Sequence, residues 1–458
     1  MRIASSARLR AGLASVLAFL AACSAENPTA PEQVAPSQRL VPSAPATQAA
    51  GRYVARLATG DLATASAVAS RLGAKVERVL GNTGYVELSG VSAGAVATLR
   101  ADAAIQRMEP DLRQQWIRPL NPRLANTTPV TGVRAQGSNQ SGAFFFPIQW
   151  NIARVHAPDG WVATPAGAGA LVCVLDTGVD DGQLDLVGKV DLSKSGSTSS
   201  TEPFLADLNG HGTYVSSLIS SNGIGMASVA PDAMLCAVKV LDASGFGSFF
   251  DVAAGIVFAA DQGADVISLS LSGVVPVDDP VGRFFMALLE AAAHYANDQG
   301  ALVVAAAGND GANLDLFPQF KIAPAHLRRV IGVSALAPFA QTKFDGFAPY
   351  SNSGVKLVSV AAPGGDFQPG GVVEDLVLGA CARIICGGDG FYFFASGTSG
   401  AAPHVAAVAA VVESFKAGDQ DAAALQQCVL SGAVRVPTLT PAQQGAGRVD
   451  VMGAVRRC

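Results

Sequence analysis

From Trp150 onward, short apolar runs alternate with helical stretches, and this alternation restricts the fold more than any other feature of the chain. LVCVL at 171–175, LCAVKV at 235–240, VISL at 266–269 and ALVVA at 301–305 are apolar at nearly every position. Such strands must be covered on both faces. The stretches 212–220 and 250–262 between them have helical patterning. Strands separated by helices pair in parallel, so an α/β fold with a doubly wound parallel sheet is expected. In such sheets reactive groups collect in the crevice beyond the strands' C-terminal ends. The chain can fill that core, since 50% of its 458 residues are hydrophobic and 15% are charged. A net charge of -5 gives no basic footprint, which argues against a nucleic-acid partner.

The N-terminus has the order of an export signal. Arg2, Arg8 and Arg10 precede an apolar stretch, 11–22, that is too short to span a bilayer. It ends in Leu20-Ala21-Ala22-Cys23, which resembles the bacterial lipobox, so 1–22 reads as a lipoprotein-type signal peptide and Cys23 as the lipidated residue. The plainer alternative is an ordinary signal peptide followed by a chance cysteine. The lipidated form implies a periplasmic or cell-surface protein held on a membrane. Residues 23–50 read as a flexible tether. From 51 to 111 the pattern is β-α-β-β-α-β, a small split-βαβ unit. Residues 112–146, with scattered Pro, Asn, Gly and Ser, read as an exposed linker.

Six cysteines besides Cys23 suit an oxidising compartment. Cys381 and Cys386 share one glycine-rich loop, and Cys428 and Cys458 are placed to tie the C-terminal tail to a helix. Cys173 and Cys236, inside strand-like runs, are expected to be buried free thiols.

Four residues carry the chemistry. Asp176 directly follows the first core strand, where an acid serves as a helix cap, a metal ligand or a histidine orienter. His211, between glycines at the start of a helix, is the general-base candidate among five histidines. His404 sits inside an Ala/Val-rich helix, where a packing role is expected. Ser399 lies at a glycine-bounded turn opening a helix, whose N-terminal dipole favours negative charge. Serine needs a neighbouring base to become a nucleophile; an N-cap is its structural alternative. Asn309 follows another buried strand, as a turn residue or as an amide donor to an oxyanion.

VLDTG, NGHGT, AAGNDG and SGTSGAAPHV, in the order Asp, His, Asn, Ser, resemble the subtilase family of serine peptidases over roughly 150–452. The resemblance implies that 147–458 is a subtilisin-like catalytic domain and 51–111 an inhibitory prosegment, cut off somewhere within 112–146. It implies Ser399 as nucleophile, His211 as base, Asp176 as its orienter and Asn309 as oxyanion donor. Substrate would pair with Ser270, Leu271 and Ser272 on one rim and Gly245 and Gly247 on the other. Ala306, Ala307 and Gly308 would line the pocket for the side chain before the cut, with a broad, apolar preference. Asp185, Ser220, Asn222, Ile224 and Met226 would hold a structural calcium; the chemistry itself needs no cofactor.

Three positions depart from the family pattern: Ser272 replaces a glycine, Gly400 a methionine and Tyr214 a second histidine. Tyr214 is expected to pack. Two other classes remain for comparison. A subtilase-fold surface protein that binds peptides without cutting would be expected to lose a catalytic residue, and all four are present. An α/β-hydrolase esterase needs the order Ser, acid, His, and a zinc peptidase needs His-Glu-x-x-His; neither occurs.

Overall fold

The computed structural model describes residues 46–58, 62–134, 137–199, 202–418 and 420–458. The signal segment, Cys23 and most of the stretch read as a tether lie outside the described residues.

The expected sheet is present. Its strands run in the order Thr342–Phe347, Val330–Phe339, Leu302–Ala306, Val266–Leu269, Leu171–Asp176, Met234–Lys239 and Gly196–Ser197, with Val360–Pro363 also paired to Val330–Phe339. The pairs are parallel except for the Thr342–Phe347 edge. Leu171–Asp176 shows why an unbroken apolar run was needed. Its alternate residues Leu171, Cys173 and Leu175 join one core with Phe250 and Phe285, while Val172 and Val174 join another with Val405 and Val408. Removing a side chain from such a layer typically costs about 2–5 kcal/mol. The helix Thr398–Phe415 is buried along nearly its whole length, and its alanines let it lie close against the sheet.

The N-terminal unit is the expected split-βαβ arrangement. Strands Thr47–Leu57, Lys75–Val79, Tyr85–Ser89 and Ile105–Gln115 form an antiparallel sheet. Helices Leu62–Arg71 and Ala93–Ala101 cover it, with Val68, Leu99 and Met108 in a separate small core. Its first strand begins inside the stretch read as a tether, and its last runs to Gln115, past the expected end of the unit at 111. The extension has a partner the sequence does not reveal. Residues 113–115 pair antiparallel with Phe246–Ser248 of the main domain, so one sheet crosses from unit to domain. Arg52 and Arg78 reinforce the junction, each bonding both Glu87 of their own unit and Asp251 across it.

Two expectations are corrected here. The stretch read as an exposed linker is not exposed at its start: the strand continues to Gln115, and Trp116 and Ile117 are 2% and 5% exposed, held in the cleft described below, whereas 121–134 is mostly exposed. Cys173 and Cys236 are not free thiols but a disulfide. They stand directly opposite each other on adjacent parallel strands, with Cα atoms 4.4 Å apart, close enough to bridge. The other pairs, Cys381–Cys386 and Cys428–Cys458, form as expected.

Candidate active site

Asp176 is the last residue of its strand, and His211 is the first of the helix His211–Ile219. The helix must begin very close to the strand end. A side-chain carbon on Gly212 would lie 2.0 Å from the Gly178 carbonyl oxygen, so only glycine fits after the histidine. The imidazole Nδ1 then meets both Asp176 oxygens, at 2.8 and 2.9 Å, with both side chains buried. Nδ1–H donating to the carboxylate leaves Nε2 as the free base.

A residue that sequence reading missed holds this pair in place. The buried Asp207 accepts from Thr177 Oγ1 (2.8 Å) beside Asp176, and from Gly210 N (2.8 Å), Thr213 N (2.8 Å) and Thr213 Oγ1 (2.6 Å) around the helix start. One carboxylate thus clamps strand end to helix N-terminus. The available signal was an acid four residues before a glycine-flanked histidine. Burial disfavours the charged imidazole, but Asp176, by charge and hydrogen bond, and the charge of Asp207 outweigh it and raise the His211 pKa.

Ser399 opens the long buried helix Thr398–Phe415. Its Oγ donates to the Ser270 carbonyl (3.0 Å) rather than to His211, and Ser270 Oγ donates to the Ser399 carbonyl (2.9 Å). Asn309 Oδ1 accepts from Thr398 N (2.9 Å) and Thr398 Oγ1 (2.8 Å). With Oδ1 engaged, Nδ2 is the end of the amide left to donate. His404 has the expected packing role: Nδ1 donates to the Gly400 carbonyl (2.7 Å), Nε2 meets the Asn151 amide, and burial lowers its pKa to about 4. Tyr214 packs too, stacked on Phe393 with its ring centroid 5.1 Å away. Its hydroxyl would lie 3.1 Å from a side-chain carbon at Gly400, so two of the departures from the family pattern share one space.

His211, Ser399, Asn309 and Ser272 line a single cleft, and the chain's own residues 114–121 lie along it. Trp116 N donates to the Gly245 carbonyl and Trp116 O accepts from Ser272 N, both at 2.9 Å. Gly247 pairs with Gln114. Both expected rims therefore hold one extended strand between them. Leu271 and Ala307 are buried against one side of the sheet and Ala306 against the other, so the side chains of these three pack in the cores and do not line the cleft as expected. A side-chain carbon on Gly308 would come within 3.3 Å of Ser272 Oγ, so the two walls face each other closely.

The expected calcium set does not fit. Asp185 sits beside the loop, but its oxygens accept from the N–H groups of Ile224 (2.8 Å), Gly225 (2.9 Å) and Met226 (3.0 Å) and from Tyr392 OH (2.7 Å). The loop offers this carboxylate donors, whereas calcium needs oxygen lone pairs turned inward. Ile224 O accepts from Phe144 N, Met226 O accepts from Ser221 Oγ, and Ser220 Oγ donates to backbone carbonyls. Asn222 Oδ1 is buried without a hydrogen-bond partner, but one amide oxygen does not make a dication site. Among the described residues, no cluster of three or more His, Cys, Asp or Glu is placed to hold a metal.

Comparison with known proteins agrees with this geometry. The model of the Subtilase family, Peptidase S8, matches residues 167–447, more than half of the chain and all four motif residues. Thermitase of Thermoactinomyces vulgaris is 34% identical over 278 residues, covering 59% of this chain and 84% of thermitase. The thermophilic serine proteinase of Bacillus sp. (strain AK1) is 35% identical over 274 residues; the match spans 59% of this chain and 59% of that relative's own length. Among solved structures, the epidermin leader peptide processing serine protease of Staphylococcus aureus superposes with a TM-score of 0.72 at 20% identity, covering 88% of this chain and 97% of that one. Fervidolysin of Fervidobacterium pennivorans gives 0.69 at 24% identity, covering 90% and 61%. These two likenesses concern the fold. With the Asp-His-Asn-Ser order, the paired His211 and Asp176 and the family match over the main domain, the chain belongs to the subtilase family.

Proposed function

We propose that the chain is the precursor of a serine endopeptidase acting on proteins or peptides, restrained by its own N-terminal unit. The observation that carries the reading is the buried His211–Asp176 pair, set in the same cleft as Ser399 and Asn309. Ser399 Oγ would turn from the Ser270 carbonyl to His211 Nε2, which frees that carbonyl to accept a substrate N–H. Oγ then bonds to the substrate carbonyl carbon while its proton passes to Nε2. Asp176 stabilises the imidazolium, and Asn309 Nδ2 with the Ser399 N–H stabilises the oxyanion. The C–N bond breaks as Nε2 returns the proton to the leaving amine, and water attacks by the same route to free the acid. No cofactor enters these steps.

The strand at 113–118 lies in the cleft as a substrate strand would, which supports reading 51–111 as an inhibitory prosegment and 112–146 as the stretch containing the self-processing cut. Export through the N-terminal signal and lipidation of Cys23 would hold the uncut chain on a membrane, periplasmic or at the cell surface. Processing would then release the catalytic domain from its anchor. The test is labelling with a fluorophosphonate probe beside casein hydrolysis. Wild type should carry one adduct, on Ser399, and digest casein, and Ser399→Ala should do neither. An unlabelled, folded wild type without activity overturns the reading.

A further inference from the structure

We infer that Asp310, with the Asn309 carbonyl and the Ser272 hydroxyl, selects a basic side chain, arginine above all, on the residue immediately before the bond that is cut. The inference rests on the peptidase reading and deepens it.

The resident strand supplies the first observation. Trp116 is fixed by backbone bonds to both rims, and its indole Nε1 donates to the Gly247 carbonyl (2.9 Å). Two residues on, the Arg118 guanidinium bonds the Asp310 carboxylate and, at 3.2 Å, the Asn309 carbonyl. Asn309 is also the residue whose amide is placed to receive the oxyanion. Asp310 follows it directly and, with Ser272 and Gly308, borders the space where the side chain before the cut is expected to lie.

The site is built before any substrate arrives. Asp310 has only 14% of its side chain exposed. Asn352 grips it twice, donating Nδ2–H to Oδ2 (2.9 Å) and accepting the Asp310 N–H at Oδ1 (3.1 Å). The same Asn352 Nδ2 donates to the Ala307 carbonyl (3.0 Å), tying the carboxylate to the pocket wall. A side-chain carbon on Gly308 would lie 3.3 Å from Ser272 Oγ and 3.5 Å from Asp310 Oδ2, so hydroxyl and carboxylate border the same small space. Where a glycine at position 272 would leave an apolar slot, this wall carries an acceptor beside a negative charge. A planar guanidinium matches a carboxylate and a carbonyl together, which one ammonium does less well.

The residue after Arg118 explains why the strand can display a favoured side chain and stay in place. Arg118–Pro119 is a tertiary amide whose nitrogen carries no proton, and the proline ring restricts the residue before it. The half-exposed Arg118 side chain therefore stays on Asp310, and the bond that follows it is a poor one for a nucleophile.

The experiment uses protein purified from expression of the full chain. It compares kcat/KM for fluorogenic peptides that differ only in Arg or Phe before the cut, with casein hydrolysis and fluorophosphonate labelling in parallel. Arg should exceed Phe by about tenfold or more, as a charge-assisted pair in a half-open site allows. Asp310→Asn keeps the side chain's size but removes the charge, and the Arg-to-Phe ratio should fall about tenfold; Asp310→Glu should retain most of it. A wild type that cleaves casein but favours Phe overturns the inference alone, as does an unchanged ratio in Asp310→Asn. A wild type that neither labels nor cleaves anything overturns the peptidase reading and this inference with it.

Discussion

Truncating Trp116 should open the cleft without touching the catalytic residues. The indole is 2% exposed, meets the Phe249 ring edge-on with centroids 4.9 Å apart, and donates to the Gly247 carbonyl. Trp→Ala changes at buried sites cost about 3–5 kcal/mol, including the cavity left behind. The lower end applies here, because a cleft that opens to water can refill. About 3 kcal/mol corresponds to somewhat more than 100-fold in the equilibrium between closed and open strand. The assay is amide hydrogen exchange over residues 113–116, with Ser399→Ala as the parent so that the chain stays intact. In Ser399→Ala alone these amides should be strongly protected, since the Trp116 N–H is bonded to Gly245 and its neighbours are in sheet register. Adding Trp116→Ala should speed their exchange by about 100-fold while the core strand Leu302–Ala306 is unaffected. Exchange changed by less than about threefold at 113–116 would refute the claim that this side chain anchors the strand.

Other consequences follow from the same geometry. Because the His211 pKa lies above the ordinary 6.5, the imidazole stays protonated, and unable to act as base, to a higher pH than usual. The acid limb of a kcat/KM profile should therefore have its midpoint above 6.5, and a midpoint at or below that value contradicts the assigned environment. With Asp185 satisfied by donors, the melting temperature in excess chelator should match that in added calcium; a clear loss in chelator restores the calcium site. Gly400→Met should lower stability by about 1–3 kcal/mol through overpacking against Tyr214, measured by denaturant midpoint. The double variant with Tyr214→Phe should recover part of that loss. The methionine variant should also lose activity in peroxide faster than wild type.

Local chemistry was legible in the sequence, and long-range register was not. The strand at Leu171–Asp176 and the motif residues Asp176, His211, Asn309 and Ser399 announce themselves because each sits in a short stretch whose glycines and apolar runs fix its own backbone. The Cys173–Cys236 bridge depends on how two strands align across 63 residues, and a periodicity says nothing of that offset. The calcium expectation failed similarly, since the donor that helps satisfy Asp185 is Tyr392, distant in sequence. Residues 112–118 lack a strand's alternation because their partners are glycine-bearing rims and the Asn309–Asp310 turn, not a core face of their own. Asp207 was hidden for a different reason. Its value lies in the backbone and hydroxyl donors around it, Asn209 N (3.3 Å) included, which carry no sequence signature beyond their spacing around His211.

The most direct test is intact-mass analysis of wild type and Ser399→Ala, expressed identically from the full chain and followed over time. Wild type should lose the N-terminal unit at a bond within 112–146 and gain casein activity as it does so, while Ser399→Ala remains at full mass and inactive. Equal processing of both proteins would mean that another peptidase makes the cut, and the account of a self-restrained, self-releasing nucleophile at Ser399 would then be wrong.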